Sequence, residues 1–148
     1  DAIATPKNFH VKLGTCYQEL IDAAGGFKTE PEKVISGGPM MGQALFDLSI
    51  PVSKTSSALT CLTKDQVAEM EPTACIRCGR CVAACPENLV PQKMMKAALR
   101  HDIELFQKLN GMECVECGSC SWVCPARKQL TQAFKEMRVA VRAAARKA

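Results

Sequence analysis

The chain has 148 residues and a formal net charge of +4, from 19 basic and 15 acidic side chains. Hydrophobic residues make up 47% of it and charged residues 23%, a balance typical of a globular protein and not of a disordered one. No apolar run approaches the roughly 18 residues of a membrane-spanning helix, and no signal-peptide pattern is present. Cysteine is the unusual component, with ten residues.

The first 60 residues predict a small α/β unit. Polar and apolar residues alternate over 8–13, as they do in a half-buried strand. Thr15 and Gln18 form a capping-box pattern, which predicts a helix running to about Ala24 and ending at Gly25-Gly26. Further short strands are expected at 33–36, 44–48 and 58–62.

From position 63 the pattern changes to helices separated by cysteine-rich loops. Three helices are expected, each after or at a residue type that favours a helix start. The first helix follows Thr63, the second begins at Pro91 and the third follows Asp102. Their expected ends are Met70, about Arg100 and Asn110-Gly111.

The last predicted helix begins near Arg127 and carries an apolar stripe at helical spacing. The stripe consists of Leu130, Phe134, Met137 and Val141. A basic face, Lys135, Arg138 and Arg142, lies beside it; it is either a solvated surface or a docking face for an acidic partner or an anionic membrane. The predicted divisions of the chain are 1–62, 63–126 and the basic C-terminal helix at 127–148.

Eight of the ten cysteines lie between positions 75 and 124, in two copies of one motif. The copies are CIRCGRCVAACP and CVECGSCSWVCP, and both read C-x2-C-G-x-C-x3-C-P. This run is typical of bacterial ferredoxins with two [4Fe-4S] clusters. Three thiolates at this spacing can hold three corners of one cluster, and the glycine lets the backbone turn close to it.

The predicted ligand sets cross between the motifs, because the fourth cysteine of such a run binds the other cluster. One set is Cys75, Cys78, Cys81 and Cys124. The other set is Cys114, Cys117, Cys120 and Cys85. We expect the fourth cysteine of each motif to begin a helix that the following proline steers toward the other cluster.

The cysteines and histidines also allow other interpretations. Two structural zinc sites could use eight thiolates, but zinc sites usually show paired C-x2-C units instead of three evenly spaced cysteines. Disulfides are disfavoured because secreted domains scatter their cysteines among loops. Cys16 is expected in the first turn of a helix, as a small buried residue or as a thiolate favoured by that position, and Cys61 has no partner at ligand spacing. His10 and His101 are isolated and are expected to be structural or surface residues. No complete set of catalytic residues is present.

Twenty-eight residues separate Cys85 from Cys114, and they predict helices. A helical linker of this kind resembles the α-helical ferredoxin module of large redox enzymes. The predicted fold class is therefore α+β, with a small α/β segment followed by an α-helical ferredoxin domain. The basic end of the chain does not predict nucleic-acid binding, because no aromatic residues interleave with its Arg and Lys side chains.

The order of the segments resembles the C subunit of the Rnf/Rsx ion-translocating electron transport complex. The resemblance rests on GGPMMG at 37–42, PVSKT at 51–55 and the two cysteine motifs, and it covers essentially the whole chain. It implies that residues 1–62 are part of a β-grasp domain of the soluble-ligand-binding type. It also implies a C-terminal fragment whose parent binds FMN and NADH in a preceding domain that this chain lacks.

The resemblance further implies a role as an electron-transfer module that relays electrons through two [4Fe-4S] clusters. The complex would link NADH to ferredoxin or another redox protein, with ion transport. The chain would lie on the cytoplasmic face of the bacterial inner membrane, held by other subunits. Two alternatives stay open: an iron-sulfur subunit of another quinone-linked dehydrogenase, and a non-enzymatic iron-sulfur sensor or zinc scaffold.

Overall fold

A computed structural model describes residues 1–146, in two compact units that meet in sequence at Glu69 and Met70. The first unit holds α1 (Tyr17–Ala23), β1 (Lys33–Ser36), β2 (Gln43–Leu45) and β3 (Leu59–Leu62). The second unit holds α2 (Arg80–Ala83), α3 (Pro91–Leu99), α4 (Ile103–Lys108), a 3₁₀ turn (Gly111–Glu113), α5 (Ser119–Trp122) and α6 (Leu130–Ala145). Across residues 1–146, every helix is too short or too polar to cross a bilayer.

The sheet of the first unit is antiparallel, with strand order β2-β1-β3. Val34 at its centre pairs with Leu45 on one side and Cys61 on the other. Val34 and Cys61 are buried together with Ala2, and they form the small core of this unit. The strand predicted at 33–36 is confirmed. β3 lies within its predicted region at 58–62, whereas β2 is shorter than the predicted strand at 44–48 and begins one residue before it, at Gln43.

The N-cap of helix α1 is Cys16, one residue later than the predicted cap, Thr15. The carboxylate of Glu19 accepts a hydrogen bond from the backbone N–H of Cys16, so the box forms at Cys16 and Glu19 instead of at Thr15 and Gln18. The glycine ending is confirmed, since Gly26 has a φ of +77° and its N–H donates to the Ile21 carbonyl.

The strand predicted at 8–13 is wrong. Residues 8–12 adopt no regular secondary structure, and Phe9 is 40% exposed. Backbone pairing lies on either side of this segment: Thr5 donates to the Ala24 carbonyl before it, and Gly14 donates to the Val52 carbonyl after it. An alternating pattern forms a strand only where a neighbouring strand supplies hydrogen bonds.

The helix predicted after Thr63 is also wrong, because Asp65 organises a turn there. Its carboxylate accepts hydrogen bonds from the backbone N–H groups of Val67 and Ala68, and it pairs with Lys33 at 2.7 Å. Side-chain capping of this kind competes with helix formation in a short segment.

The helices of the second unit follow their sequence signals. Pro91 is the first residue of α3, and the Asp102 carboxylate accepts from the Leu105 N–H at the start of α4. Helix α6 begins at Leu130, later than predicted, because Arg127 has a φ of +52° and lies outside the helical region. The apolar stripe predicted on this helix is confirmed, since all four of its members are buried. Lys147, part of the predicted basic end, lies outside the described residues.

The core of the second unit joins α3, α4 and α6. The rings of Phe106 and Phe134 lie 6.1 Å apart and are tilted by 49°. Met94 and Met137 are fully buried in the same cluster. Gly111 packs directly under the Phe106 ring, where a Cβ would come within 2.3 Å of a ring carbon. This core supports the two cysteine motifs, because Cys120 belongs to it.

Candidate functional site: two cysteine-lined cavities

The two copies of the cysteine motif adopt the same backbone conformation. Each copy has a turn after its first cysteine, a one-turn helix and a second turn after its fourth cysteine. Residues with positive φ recur at equivalent positions: Arg77 and Glu116 at +57°, Gly79 at +77° and Gly118 at +83°, Asn88 and Arg127 at +52°. The sequence repeat is therefore a structural repeat.

The fourth cysteine of each motif does not begin a helix, which corrects the expectation from sequence. In the first copy α2 starts after Gly79 and contains the third cysteine, Cys81. Cys85 lies just beyond the end of α2, where its N–H donates to the Val82 carbonyl, and the next helix starts only at Pro91. The glycine fixes where the short helix starts, because the left-handed backbone of the glycine ends the turn that precedes the helix.

The eight cysteines line two cavities. The first-motif cavity is lined by the first three cysteines of the first motif and the fourth of the second: Cys75, Cys78, Cys81 and Cys124. The second-motif cavity has the reciprocal set: Cys114, Cys117, Cys120 and Cys85. The fold thus brings together the same two groups of four that the crossed pattern predicts.

The two cavities have different surroundings. At the first-motif cavity, Cys75 and Cys78 are exposed, as is the whole segment 71–80. The second-motif cavity is backed by the core, with Cys120 buried and Met94 and Phe134 in its wall. Water therefore has easier access to the first-motif cavity than to the second-motif cavity.

The third cysteine of each motif is contacted by the helix that follows its own motif. Cys81 Sγ lies 3.7 Å from Gln92 Oε1, and Cys120 Sγ lies 3.8 Å from Thr131 Oγ1. Gln92 and Thr131 occupy equivalent positions, seven residues after the fourth cysteine of each motif. The repeat therefore extends beyond the cysteines to polar side chains that can hydrogen-bond to their sulfurs.

Two further contacts involve cysteine sulfurs. The backbone N–H of Leu89 donates to Cys85 Sγ at 3.4 Å. Cys117 Sγ lies 3.5 Å from the hydroxyl of Ser119. Donors directed at a sulfur stabilise negative charge on it, as a metal-bound thiolate requires.

Burial raises the pKa of the thiols of Cys81, Cys114 and Cys120. Negative charge on a facing cysteine of the other motif adds to the rise at two of them, Cys124 acting on Cys81 and Cys85 acting on Cys114. Four thiolates in one cavity therefore need positive charge from what they bind. Iron in a [4Fe-4S] cluster supplies that charge, so this donor set fits such a cluster.

Arg138 on α6 has a partner that the sequence did not predict. Its Nη1 donates to the Cys114 carbonyl at 2.7 Å and forms an ion pair with Glu116, in the turn between Cys114 and Cys117. The predicted basic face is therefore wrong for Arg138, whereas Arg142 is exposed. Helical spacing alone places both on one face and cannot indicate a partner 22 residues earlier.

The remaining candidate residues lie apart from the cavities. Cys61 is buried in the sheet core of the first unit, where burial raises the pKa of its thiol, and Cys16 precedes α1. All ten cysteines fall within the described residues, and none of them forms a disulfide. Over the same part of the chain, no three Cys, His, Asp or Glu side chains converge as the ligands of a single metal ion would.

Two family models match the chain. A 4Fe-4S dicluster domain matches residues 68–125, which include all eight motif cysteines. An SLBB domain matches residues 2–44. The two matches fall almost entirely in different structural units.

Similar proteins are the C subunits of ion-translocating complexes. The one from the proton-translocating ferredoxin:NAD(+) oxidoreductase complex of Clostridium ljungdahlii is 52% identical over 63% of this chain and 20% of its own length. Its counterpart in the Na(+)-translocating complex of Acetobacterium woodii is 42% identical over 76% of this chain and 26% of its own. That of the ion-translocating oxidoreductase complex of Rhodobacter capsulatus is 42% identical over 89% of this chain and 25% of its own. The chain thus spans about a quarter or less of each relative.

Proposed function

We propose that the chain is the electron-relay module of the C subunit of an ion-translocating oxidoreductase (Rnf) complex, because it is homologous to a segment of such subunits and carries a 4Fe-4S dicluster domain. When bound, each of its two [4Fe-4S] clusters supplies one-electron transfer. The observation that carries the proposal is the crossed lining of the two cavities, four thiols around each.

The proposed ligands follow the cavity linings. Cys75, Cys78, Cys81 and Cys124 would hold one cluster, and Cys114, Cys117, Cys120 and Cys85 the other. Support comes from the four-sulfur donor set of each cavity and from the N–H and hydroxyl groups beside the sulfurs of Cys85 and Cys120.

The crossing also supports a relay between the two sites. Cys81 and Cys85 are separated by one helical turn, yet they line different cavities. The two sites are therefore neighbours along one short stretch of backbone, and an electron has a short path between them. The exposed turn at Cys75 and Cys78 gives a redox partner access to one site, while the core shields the other.

The surroundings proposed for the module follow from its relatives, whose names describe subunits of ion-translocating complexes. Its partners would be other subunits of such a complex and ferredoxin or another redox protein. It would lie at the cytoplasmic face of the bacterial inner membrane and be held there by those subunits. FMN and NADH would bind to a part of the subunit outside this chain, and the complete complex would couple their electron exchange with ferredoxin to ion transport.

The first unit is proposed to be part of a β-grasp domain. The SLBB match over residues 2–44 and the combination of α1 with a small antiparallel sheet support this assignment. Its role would be to position the cluster module within the larger subunit.

Metal analysis tests the relay proposal. Anaerobic reconstitution with iron and sulfide should give about eight iron and about eight sulfide per chain, with reversible reduction seen by EPR. Cys16→Ser, outside both cavities, should leave these values unchanged, whereas Cys117→Ser should disrupt one cluster. Stoichiometric zinc without sulfide would instead identify a zinc scaffold, and clusters that cannot be reduced reversibly would contradict an electron relay.

A further inference from the structure

The Arg138–Glu116 pair is unusual for its position, between a core helix and a cysteine turn. The Arg138 side chain is only 15% exposed and that of Glu116 28%. One nitrogen, Nη1, bridges the Glu116 carboxylate and the Cys114 carbonyl, so α6 holds the turn at two points. Glu116 has a φ of +57°, which side-chain-bearing residues rarely adopt.

The guanidinium of Arg138 is not fully satisfied by these contacts. Within the described residues its Nε is buried and has no hydrogen-bond partner. A buried unpaired donor is costly unless it faces negative charge. The positive charge of Arg138 lies beside the cavity wall, since its Nη1 is 2.7 Å from the carbonyl oxygen of Cys114, which lines the cavity.

The first-motif cavity lacks an equivalent pair. The residue equivalent to Glu116 in the first motif is Arg77, which is exposed. The residue equivalent to Arg138, fourteen positions after the fourth cysteine, is Leu99, which is 69% exposed. The two repeats therefore differ here: exposed Arg77 lines the first-motif cavity, whereas the second-motif cavity has Glu116 in its lining, paired with the partly buried Arg138.

We propose that Arg138 is a positioning residue that fixes the Glu116 turn and raises the reduction potential of the cluster in the second-motif cavity, leaving the other cluster unaffected. The inference rests on the proposed function, because it requires a cluster at Cys85, Cys114, Cys117 and Cys120. Reduction adds one electron, and so one negative charge, to that site. A nearby cation stabilises the added charge most strongly where burial weakens screening by water.

The partner carboxylate must act in the opposite direction. Glu116 offsets part of the Arg138 charge, so removing the carboxylate leaves the cation more effective. Arg138→Met should therefore lower the potential of this cluster, and Glu116→Gln should raise it. A variant that merely loosens the turn would not produce shifts of opposite sign at the two partners.

The test is an EPR-monitored redox titration of the reconstituted full chain, with dithionite as the electron donor. Arg138→Met should lower the equilibrium constant for one-electron reduction of one cluster by about tenfold, which corresponds to about 59 mV. Arg138→Lys, which keeps the charge, should restore most of that shift. Arg142→Met removes an exposed cation one turn along the same helix and is the matched control, with no shift expected.

The possible outcomes separate this inference from the proposed function. Cys78→Ser and Cys117→Ser identify which EPR signal belongs to which cavity, and only the signal lost in Cys117→Ser should move. If Arg138→Met cannot retain that cluster, Arg138→Gln is titrated in its place: a lowered potential supports the inference, and an unchanged potential overturns it. Intact clusters with unshifted potentials in all variants reject the role of Arg138 alone, whereas a wild-type chain that binds no cluster rejects the proposed function.

Discussion

The hydroxyl of Thr131 lies 3.8 Å from the sulfur of Cys120, and both residues are buried. Which atom donates in this contact depends on the neighbouring groups. The Thr131 N–H donates to Ser121 Oγ at 2.9 Å, and the two hydroxyl oxygens lie 2.8 Å apart. If Ser121 donates its proton to Thr131, the Thr131 proton is left to point at the sulfur, which as a thiolate can only accept.

We therefore expect Thr131→Val, which keeps the shape but removes the hydroxyl, to lower the reduction potential of the cluster in the second-motif cavity. A lost hydrogen bond to a ligand sulfur destabilises the reduced form, here by about 1 kcal/mol. Redox titration with Gln132→Ala as the control, an exposed neighbour on the same helix, measures the effect. An unchanged midpoint in Thr131→Val would mean that this hydroxyl does not donate to Cys120.

The crossed cavity linings predict that substituting the fourth cysteine of one motif alters the EPR signal of the cluster held mainly by the other motif. Cys85→Ser should alter the EPR signal that Cys117→Ser also alters, because both residues line the second-motif cavity. Cys124→Ser should in turn match Cys78→Ser. If Cys85→Ser instead reproduces the Cys78→Ser spectrum, each motif closes its own site and the proposed ligand sets are wrong.

Gly111 should tolerate no side chain. An added Cβ would meet three Phe106 ring atoms at 2.3–2.5 Å. Phe106 lies on α4, and its side chain is fully buried. Overpacking of this kind typically costs about 1–3 kcal/mol, so Gly111→Ala should lower the free energy of unfolding of the second unit by that amount. Gly38→Ala, where no atom lies within 4 Å of the added Cβ, is the control. Equal unfolding midpoints for the two variants in urea would contradict the prediction.

The ion pair between Lys33 and Asp65 should make the first unit sensitive to acid. Hydrogen bonding to Lys33 lowers the pKa of the Asp65 carboxyl below its usual value of 3.8. A lowered pKa in the folded state stabilises the fold above the unfolded-state pKa, and the stabilisation is lost as the pH falls through the folded-state pKa. Asp65→Asn should therefore cost about 0.5–1 kcal/mol at pH 7 and less at pH 3.

The lone tyrosine can report on this effect, because Tyr17 is buried in the first unit and bonded to Ser36 and Ser56. Urea unfolding followed by tyrosine fluorescence, at both pH values, compares Asp65→Asn with the wild type. Glu69→Gln removes an exposed carboxylate of the same segment and serves as the control. An equal loss of stability at pH 7 and pH 3 would show that the charge of Asp65 is not responsible.

Local signals in the sequence were sufficient where the structure is determined locally. Pro91 starts α3, Asp102 caps α4 and the apolar stripe of α6 is buried, because each depends on residues within a few positions. The cysteine spacing likewise indicated which sulfurs share a cavity. The alternation at 8–13 failed because a strand requires a partner that the segment itself cannot specify.

The sequence pattern did not predict the contacts between distant segments. Arg138 was expected on an exposed or docking face, but it pairs with Glu116, 22 residues earlier, and is therefore less exposed to solvent. The helix predicted after Thr63 failed for a related reason, since Asp65 is held by Lys33, which lies on β1, 32 residues earlier. In both cases a charged side chain found a tertiary partner that local propensity does not encode.

The exchange of Cys85 and Cys124 between the two cavities gives the second unit the topology of a swapped dimer fused into one chain. A polypeptide with a single motif would offer three thiols to its own cavity and a fourth to a cavity that it lacks, and two copies would complete one another. Here α3 and α4 join the two copies covalently. In the proposed cluster-bound state each half would supply one cysteine ligand to the site of the other half, so loss of iron at one site would remove a constraint from the backbone of both.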